Sequence, residues 1–159
     1  MGFDNRAGET PKLLGKTVEK PQDKGRPLIL VVEDSRSDVF LIREALGLAE
    51  VEAEIYVIDN GDSATKFVEA TDSDGKSPIP NLVLLDLNLP KKRGDEVLRY
   101  LRGSLRCGEV QVVVVSTSDS IRDRAAVEPL GISAYFKKPT DYADFMKLGP
   151  LVKTLLASA

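Results

Sequence analysis

Three runs of consecutive apolar residues mark the chain, at residues 28–32, 82–85 and 112–115. Continuous apolar runs of four or five residues are typical of strands that are buried on both faces of a sheet. Residues 52–58 alternate more between apolar and polar positions, and residues 132–136 form one further short apolar segment. The pattern therefore predicts five strands, of which three are covered on both faces.

Amphipathic segments follow each predicted strand, and their apolar spacing indicates helices. They cover residues 36–48, 61–70, 94–105, 119–128 and 141–156. Five alternations of strand and helix predict an α/β fold, a doubly wound parallel sheet with right-handed crossovers and helices on both faces. Proline cannot donate a helical hydrogen bond, so Pro129 is expected to end the fourth helix early and Pro150 to kink or split the last one.

The chain has 159 residues, which corresponds to one domain with a short addition. Residues 1–27 are polar and contain three Xaa-Pro pairs, so a flexible N-terminal extension is predicted there. Residues 28–159 are then the folded domain. A domain of this size buries roughly 70% of its unfolded surface, so it needs no disulfide or structural metal.

Charge and composition exclude several classes of protein. Twenty-two basic and twenty-five acidic residues give a net charge of −3, so nucleic acid is not the expected partner. Histidine is absent and Cys107 is the only cysteine, which excludes disulfide frameworks, Cys/His zinc sites and histidine-dependent triads. No apolar run approaches the roughly 20 residues of a membrane span, and the N-terminus lacks a signal-peptide pattern. We therefore expect a cytoplasmic protein that does not contact membranes.

Polar residues at the ends of the predicted strands suggest a site. Glu33 and Asp34 follow the first strand, Asp86 ends the third, Ser116 ends the fourth and Lys138 follows the fifth. In a doubly wound sheet the site lies outside the carboxyl ends of the strands. Clustered carboxylates repel one another unless a cation is bound, and an all-oxygen ligand set favours Mg²⁺. A lysine and a hydroxyl suit phosphoryl oxygens, so the sequence predicts a metal-assisted phosphoryl acceptor.

The strand-end motifs together resemble the receiver domain of two-component response regulators over residues 28 to about 157. The motifs are ILVVED at 29–34, LLDLNLP at 84–90 with Gly94, VST at 115–117 and AYFKKP at 134–139. Within this family the chain is most similar to stand-alone receivers that are paired with bacterial phytochrome histidine kinases. The residues that carry this closer similarity are DLNLPKK at 86–92, a long loop at 71–80 and KPTD at 138–141.

The resemblance implies a flavodoxin-like sheet with strand order 2-1-3-4-5. It also implies that Asp86 is the phosphoacceptor, taking a phosphoryl group from a kinase phosphohistidine. Mg²⁺ would be held by Asp34 directly, by Glu33 through water, by Asp86, and by the backbone carbonyl of Asn88. Among the residues beside this metal site, Ser35 or Ser37 is the better candidate to cap the following helix.

The resemblance assigns roles to residues of the last two strands as well. Ser116 would bond the phosphoryl group, Lys138 would pair with its oxygens, and Ser116 and Tyr135 would act together as a switch. The Lys138–Pro139 bond would be cis. Thr117 stands where many receivers carry a smaller residue, so we expect it to hinder the attacking water and prolong the life of the phosphoryl group.

Taken together, the resemblance predicts a stand-alone response regulator in a phosphorelay, with a sensor histidine kinase, of phytochrome type, as its partner. The protein would not be an enzyme, although it would assist its own phosphorylation and dephosphorylation. No output domain is expected after the last helix, so the signal would leave through the surface formed by the fourth helix, fifth strand and last helix. A downstream protein is implied but not identified, and a homodimer is plausible by resemblance.

The sequence argues against two other functions and leaves a third open. A flavodoxin-like FMN carrier needs an amide-lined phosphate loop after the first strand, where Glu33 and Asp34 would repel phosphate. A haloacid-dehalogenase-type phosphatase needs a second aspartate two residues after the nucleophile, where this chain has Asn88. A pseudo-receiver that serves as an unphosphorylated interaction scaffold stays open as the alternative.

Overall fold

The computed structural model describes residues 25–158, and its centre is a parallel sheet of five strands. The strands occur in the spatial order β2-β1-β3-β4-β5, as expected. They are β1 (Leu28–Val32), β2 (Glu54–Ile58), β3 (Leu82–Leu85), β4 (Gln111–Ser116) and β5 (Ala134–Lys137). Every neighbouring pair is parallel, and the register places Val32 beside both Ile58 and Leu85. The doubly wound fold class is thereby confirmed.

Helices lie between the strands near the predicted positions. They are α1 (Arg36–Leu48), α2 (Gly61–Asp74), α3 (Gly94–Arg102), α4 (Ile121–Val127), α5 (Tyr142–Phe145) and α6 (Leu148–Ala157). Ser35 caps α1, because its hydroxyl accepts a hydrogen bond from the Asp38 N–H at 3.2 Å. A 3-10 turn that contains Pro129 ends α4. The predicted last helix is split into α5 and α6, with Pro150 in the first turn of α6.

The core consists of two apolar layers, one on each face of the sheet. Alternate residues of β1 enter opposite layers, so Leu30 and Val32 pack on the side of α2 and α3, while Ile29 and Val31 pack on the side of α1 and α6. Both faces of β1, β3 and β4 are buried. This double burial explains why the three continuous apolar runs are the clearest strand signals in the sequence.

Two expectations from the sequence differ from the structure, and a third falls outside the described residues. The predicted long loop at residues 71–80 is shorter, because α2 continues to Asp74 and ends at Gly75 in the left-handed conformation (φ 65°). The prediction of a cis bond between Lys138 and Pro139 was wrong, since the described residues contain no cis peptide bond. The predicted extension at residues 1–27 lies almost wholly outside the described residues. Within residues 25–158, no helix is both long enough and apolar enough to cross a membrane.

Arg102, in the last turn of α3, forms hydrogen bonds near the amino ends of both β4 and β5. Its guanidinium donates hydrogen bonds to backbone carbonyls that precede these strands, at 2.7–3.2 Å. The accepting residues are Gly108, Val110, Leu130 and Gly131. The planar guanidinium thus satisfies four backbone carbonyl groups at this end of the sheet.

Candidate phosphoacceptor site

The carboxyl ends of β1 and β3 bring the predicted acidic residues together. Neighbouring strands hold them in register, since the Asp86 N–H donates to the Val32 carbonyl at 3.0 Å. Carboxylate oxygens of Glu33, Asp34 and Asp86 all lie within 4.8 Å of one another. Glu33 and Asp86 are buried, whereas Asp34 is exposed. The cluster is therefore one acidic pocket with its open side at Asp34.

Lys138 enters this cluster from the end of β5. Its Nζ lies 2.8 Å from Glu33 Oε1 and 3.1 Å from Asp86 Oδ2. Its backbone N–H donates to the Ser116 carbonyl at 2.8 Å, which fixes the start of the loop after β5 against β4. The Lys138 side chain is only 7% exposed. A buried ammonium thus stands beside the carboxylate predicted to accept the phosphoryl group.

A third carboxylate reaches Lys138, and no motif in the sequence points to it. Asp38 Oδ2 lies 2.7 Å from Lys138 Nζ, the shortest of the lysine's three ionic contacts. In the sequence, Asp38 is indistinguishable from an acidic residue that interacts with the amino end of a helix. Only the fold, which brings the first turn of α1 beside the residue that follows β5, shows that this carboxylate points into the site.

Burial and charge shift the proton equilibria of this cluster. The pKa of Glu33 is raised to about 7, mainly by its removal from water and in part by the charge of Asp86, although Lys138 and the Ser35 N–H oppose the shift. Burial disfavours the charged form of Lys138. The contacts with Asp38, Glu33 and Asp86 outweigh this and hold its pKa above the ordinary lysine value. Lys138 is therefore a permanent cation in the site at neutral pH.

The acidic cluster fits a divalent cation. Glu33 Oε1 is buried and accepts no hydrogen bond with acceptable geometry from the described residues, although the Lys138 ammonium is close. Together with Asp34 and Asp86, it forms the oxygen donor set that Mg²⁺ prefers. These three side chains would hold the ion, which would supply positive charge next to the phosphoryl oxygens.

Asn88 and Gly94 shape the loop that follows Asp86. The Asn88 N–H donates to Asp86 Oδ1 at 3.1 Å and Lys138 Nζ donates to Oδ2, so both oxygens of the Asp86 carboxylate are oriented. A Cβ atom on Gly94 would lie 2.2 Å from the Asp86 carbonyl oxygen and 2.7 Å from Leu87 Cα. Glycine is thus required where the start of α3 lies against the backbone of Asp86 and Leu87. The predicted role of the Asn88 carbonyl as a metal ligand stays a prediction.

Ser116 and Tyr135 lie on the β4 and β5 side of the site. Ser116 is fully buried, and its hydroxyl accepts a hydrogen bond from the Ser118 N–H at 3.2 Å. The Tyr135 hydroxyl donates to the Ser118 carbonyl, and the Arg124 guanidinium lies 4.2 Å from the centre of its ring. Both predicted switch residues therefore contact the same loop between β4 and α4. Their roles as switches stay predictions.

Comparison with known protein families agrees with this arrangement. Residues 29–148 match the model of the response regulator receiver domain. The chain therefore belongs to the receiver family of two-component signalling. Receiver domains bind Mg²⁺, so the cofactor expected from the sequence is confirmed at the level of the family.

Among its relatives, the chain is 36% identical to the response regulator Rcp1 of Synechocystis sp. over 128 residues, which are 79% of this chain and 87% of Rcp1. The crystal structure of Mn²⁺-bound Rcp1 superposes with a TM-score of 0.71 at 34% identity, covering 80% of this chain and 92% of that one. The phosphorylated cyanobacterial phytochrome response regulator RcpA gives a TM-score of 0.76 at 30% identity, covering 85% and 97%. The predicted similarity to phytochrome response regulators is confirmed.

The raised pKa of Glu33 predicts how stability depends on pH. The folded protein holds this proton up to about pH 7, whereas the unfolded chain releases it near pH 4.5. Glu33 therefore lowers the stability of the folded state progressively as the pH rises through this window. With divalent metals chelated, we expect wild type to lose more stability between pH 5 and pH 8 than Glu33→Gln does. Urea denaturation at both pH values measures this difference, and parallel losses in the two proteins would contradict the assignment.

Proposed function

We propose that this chain is a response regulator that accepts a phosphoryl group on Asp86 from a histidine kinase. In this step the N–P bond of the kinase phosphohistidine breaks and a bond forms between phosphorus and an Asp86 carboxylate oxygen. The electron pair of the broken bond returns to the imidazole, which takes up a proton if it left as the anion. The protein is not an enzyme in this scheme, although its own side chains assist the transfer.

The observation that carries the proposal is the Lys138 ammonium 3.1 Å from Asp86 Oδ2 inside the buried acidic cluster. Phosphoryl transfer needs little covalent help from a protein but much positive charge around the transferred oxygens. Lys138 supplies one fixed cation, and Glu33, Asp34 and Asp86 would hold Mg²⁺ as the second. Ser116, at the end of β4, would donate its hydroxyl hydrogen to a phosphoryl oxygen.

Intact-protein mass spectrometry after incubation with acetyl phosphate tests the proposal. We expect one phosphoryl increment that requires Mg²⁺, disappears with a chelator and is released by hydroxylamine, as an acyl phosphate should be. Peptide mapping should place it on Asp86. No increment under any condition would favour the alternative of an unphosphorylated pseudo-receiver scaffold, and an increment at another residue would refute Asp86 as the acceptor.

We further propose that the phosphodonor is a phytochrome-type histidine kinase. The support is the similarity to RcpA and to RPA3017, a response regulator in red light signalling of R. palustris, which is 30% identical with a TM-score of 0.67 and covers 79% of this chain and 90% of that one. Transfer from a phosphorylated phytochrome kinase should exceed transfer from a phosphorylated kinase of another sensor class under equal conditions. Equal rates from both donors would count against this pairing.

The signal would leave through the surface formed by α4, β5, α5 and α6. Tyr135 lies on this surface and binds the loop that contains Ser118, so a movement of that loop toward a phosphoryl group would change the position of the ring. A downstream protein, or a second copy of the chain, would recognise the changed surface. This route extends the switch roles proposed for Ser116 and Tyr135.

Thr117 is expected to lengthen the life of the phosphoryl group. It directly follows Ser116 and is exposed at the mouth of the site, where its side chain would obstruct the attacking water. We expect Thr117→Ala to lose its phosphoryl group several-fold faster than wild type, because a smaller side chain opens this approach. Decay of the phosphorylated mass after removal of the donor measures the rate. Loss at the wild-type rate or slower would contradict the expectation.

A further inference from the structure

The side chain of Asp38 contacts the site but belongs to neither the acceptor nor the metal-binding cluster. It lies in the first turn of α1, where its backbone N–H is held by the Ser35 hydroxyl. Its Oδ2 atom accepts a hydrogen bond from Lys138 Nζ at 2.7 Å, compared with 3.1 Å for the bond from Lys138 to Asp86. A residue of α1 thereby holds the lysine that follows β5, the edge strand of the sheet.

The geometry of this contact suggests a specific task. Lys138 Nζ donates hydrogen bonds to Asp38 and Asp86, and a carboxylate oxygen of Glu33 also lies within 3.1 Å of it. Two of these carboxylates, Glu33 and Asp86, change their surroundings when the site binds a cation or a phosphoryl group. Asp38 is the contact that does not take part in either event, so it can hold the lysine in place throughout.

We propose that Asp38 is a positioning residue that fixes the Lys138 ammonium beside the acceptor carboxylate for phosphoryl transfer. The lysine side chain has four rotatable bonds, and without Asp38 its head group would be held only by groups that the reaction itself engages. Misplacement of a charged group by about 1 Å costs up to about 100-fold in rate. The rate consequence rests on the proposed function, whereas the positioning of Lys138 does not.

The first test observes Lys138 directly and needs no phosphorylation. In wild type with saturating Mg²⁺, which would engage Glu33 and Asp86, NMR should detect the Lys138 ammonium as an ordered, slowly exchanging group, assigned by its loss in Lys138→Met. We expect the signal to disappear in Asp38→Ala and to persist in Asp59→Ala. Asp59 is the matched control, because it is an exposed acid beside Glu33 and Asp34 in the same surface groove. A signal that persists unchanged in Asp38→Ala would overturn the proposal.

The second test measures the rate of phosphorylation by acetyl phosphate at saturating Mg²⁺. We expect Asp38→Ala to be slower than wild type by about tenfold. Asp38→Asn, whose amide oxygen can still accept from Lys138, should recover part of the rate, and Asp59→Ala should not be slower. The proposal would be overturned if Asp38→Ala and Asp59→Ala were phosphorylated at equally reduced rates, or if Asp38→Ala were not slower than wild type. If wild type takes up no phosphoryl group, the proposed function fails while the NMR result still decides the role of Asp38.

Discussion

Asp86→Asn should lower phosphorylation by acetyl phosphate to below about one hundredth of the wild-type rate. An amide oxygen is a far weaker nucleophile than a carboxylate oxygen, and the cluster also loses one of its negative charges. The fold should survive, because the side chains have nearly the same shape and the Asn88 N–H can still donate to the amide oxygen. Lys138 keeps its contacts with Glu33 and Asp38. Rates from intact-protein mass spectrometry provide the measurement.

The control for Asp86→Asn is Asp59→Asn, which removes one negative charge from the same end of the sheet. This exposed carboxylate accepts a hydrogen bond from its neighbour Asn60, so its replacement should leave the rate near that of wild type. Circular dichroism and urea denaturation should show that both variants fold. Phosphorylation of a folded Asp86→Asn at more than a tenth of the wild-type rate would mean that the reactive carboxylate lies elsewhere.

Gly94→Ala should both destabilise the protein and slow phosphorylation. The new Cβ would meet the Asp86 carbonyl oxygen at 2.2 Å and Leu87 Cα at 2.7 Å. Both are backbone atoms, so relief requires that α3 or the acceptor segment move. Overpacking of this kind costs about 1–3 kcal/mol, and we expect the upper end of that range. Urea denaturation gives the free energy of unfolding, and acetyl phosphate gives the rate at saturating Mg²⁺.

Gly47→Ala is a matched control for Gly94→Ala. Gly47 lies in α1, and an added Cβ there would have no neighbour within 4 Å. Because alanine favours a helix by up to about 1 kcal/mol over glycine, this variant should be as stable as wild type or slightly more stable. If the free energy of unfolding falls in Gly94→Ala and does not fall in Gly47→Ala, the close approach at Gly94 is the cause of the loss. If Gly94→Ala destabilised the protein no more than Gly47→Ala does, the close approach at Gly94 would not be the cause.

The fold was largely predictable from the sequence because the central strands are buried on both faces. Their apolar runs are continuous, and turn residues and amphipathic helices separate them, so the order of elements follows directly. The end of α2 was missed, since residues 71–74 are polar and carry little periodic signal. The last helix was expected to be kinked or split, and the structure shows that it divides before Gly149 rather than at Pro150 itself.

The site residues were predictable where a strand carries them and not where a helix does. Asp86 and Lys138 follow buried strands whose ends must meet at one edge of the sheet. Asp38 is three residues after the capping Ser35, and every helix of this kind favours an acid there. Its contact with Lys138 depends on the angle at which α1 packs on the sheet. That angle depends on the packing of many side chains and has no local sequence signature.

The hydrogen bonds of Arg102 hold one end of β4 and β5, and the candidate site lies at the other end. The amino ends of β4 and β5 are tied to α3 through one side chain, whereas their carboxyl ends carry Ser116 and Lys138. A displacement that begins at the site would therefore be expected to diminish toward the Arg102 end of the same two strands. The movement of β5 would then be largest near the site.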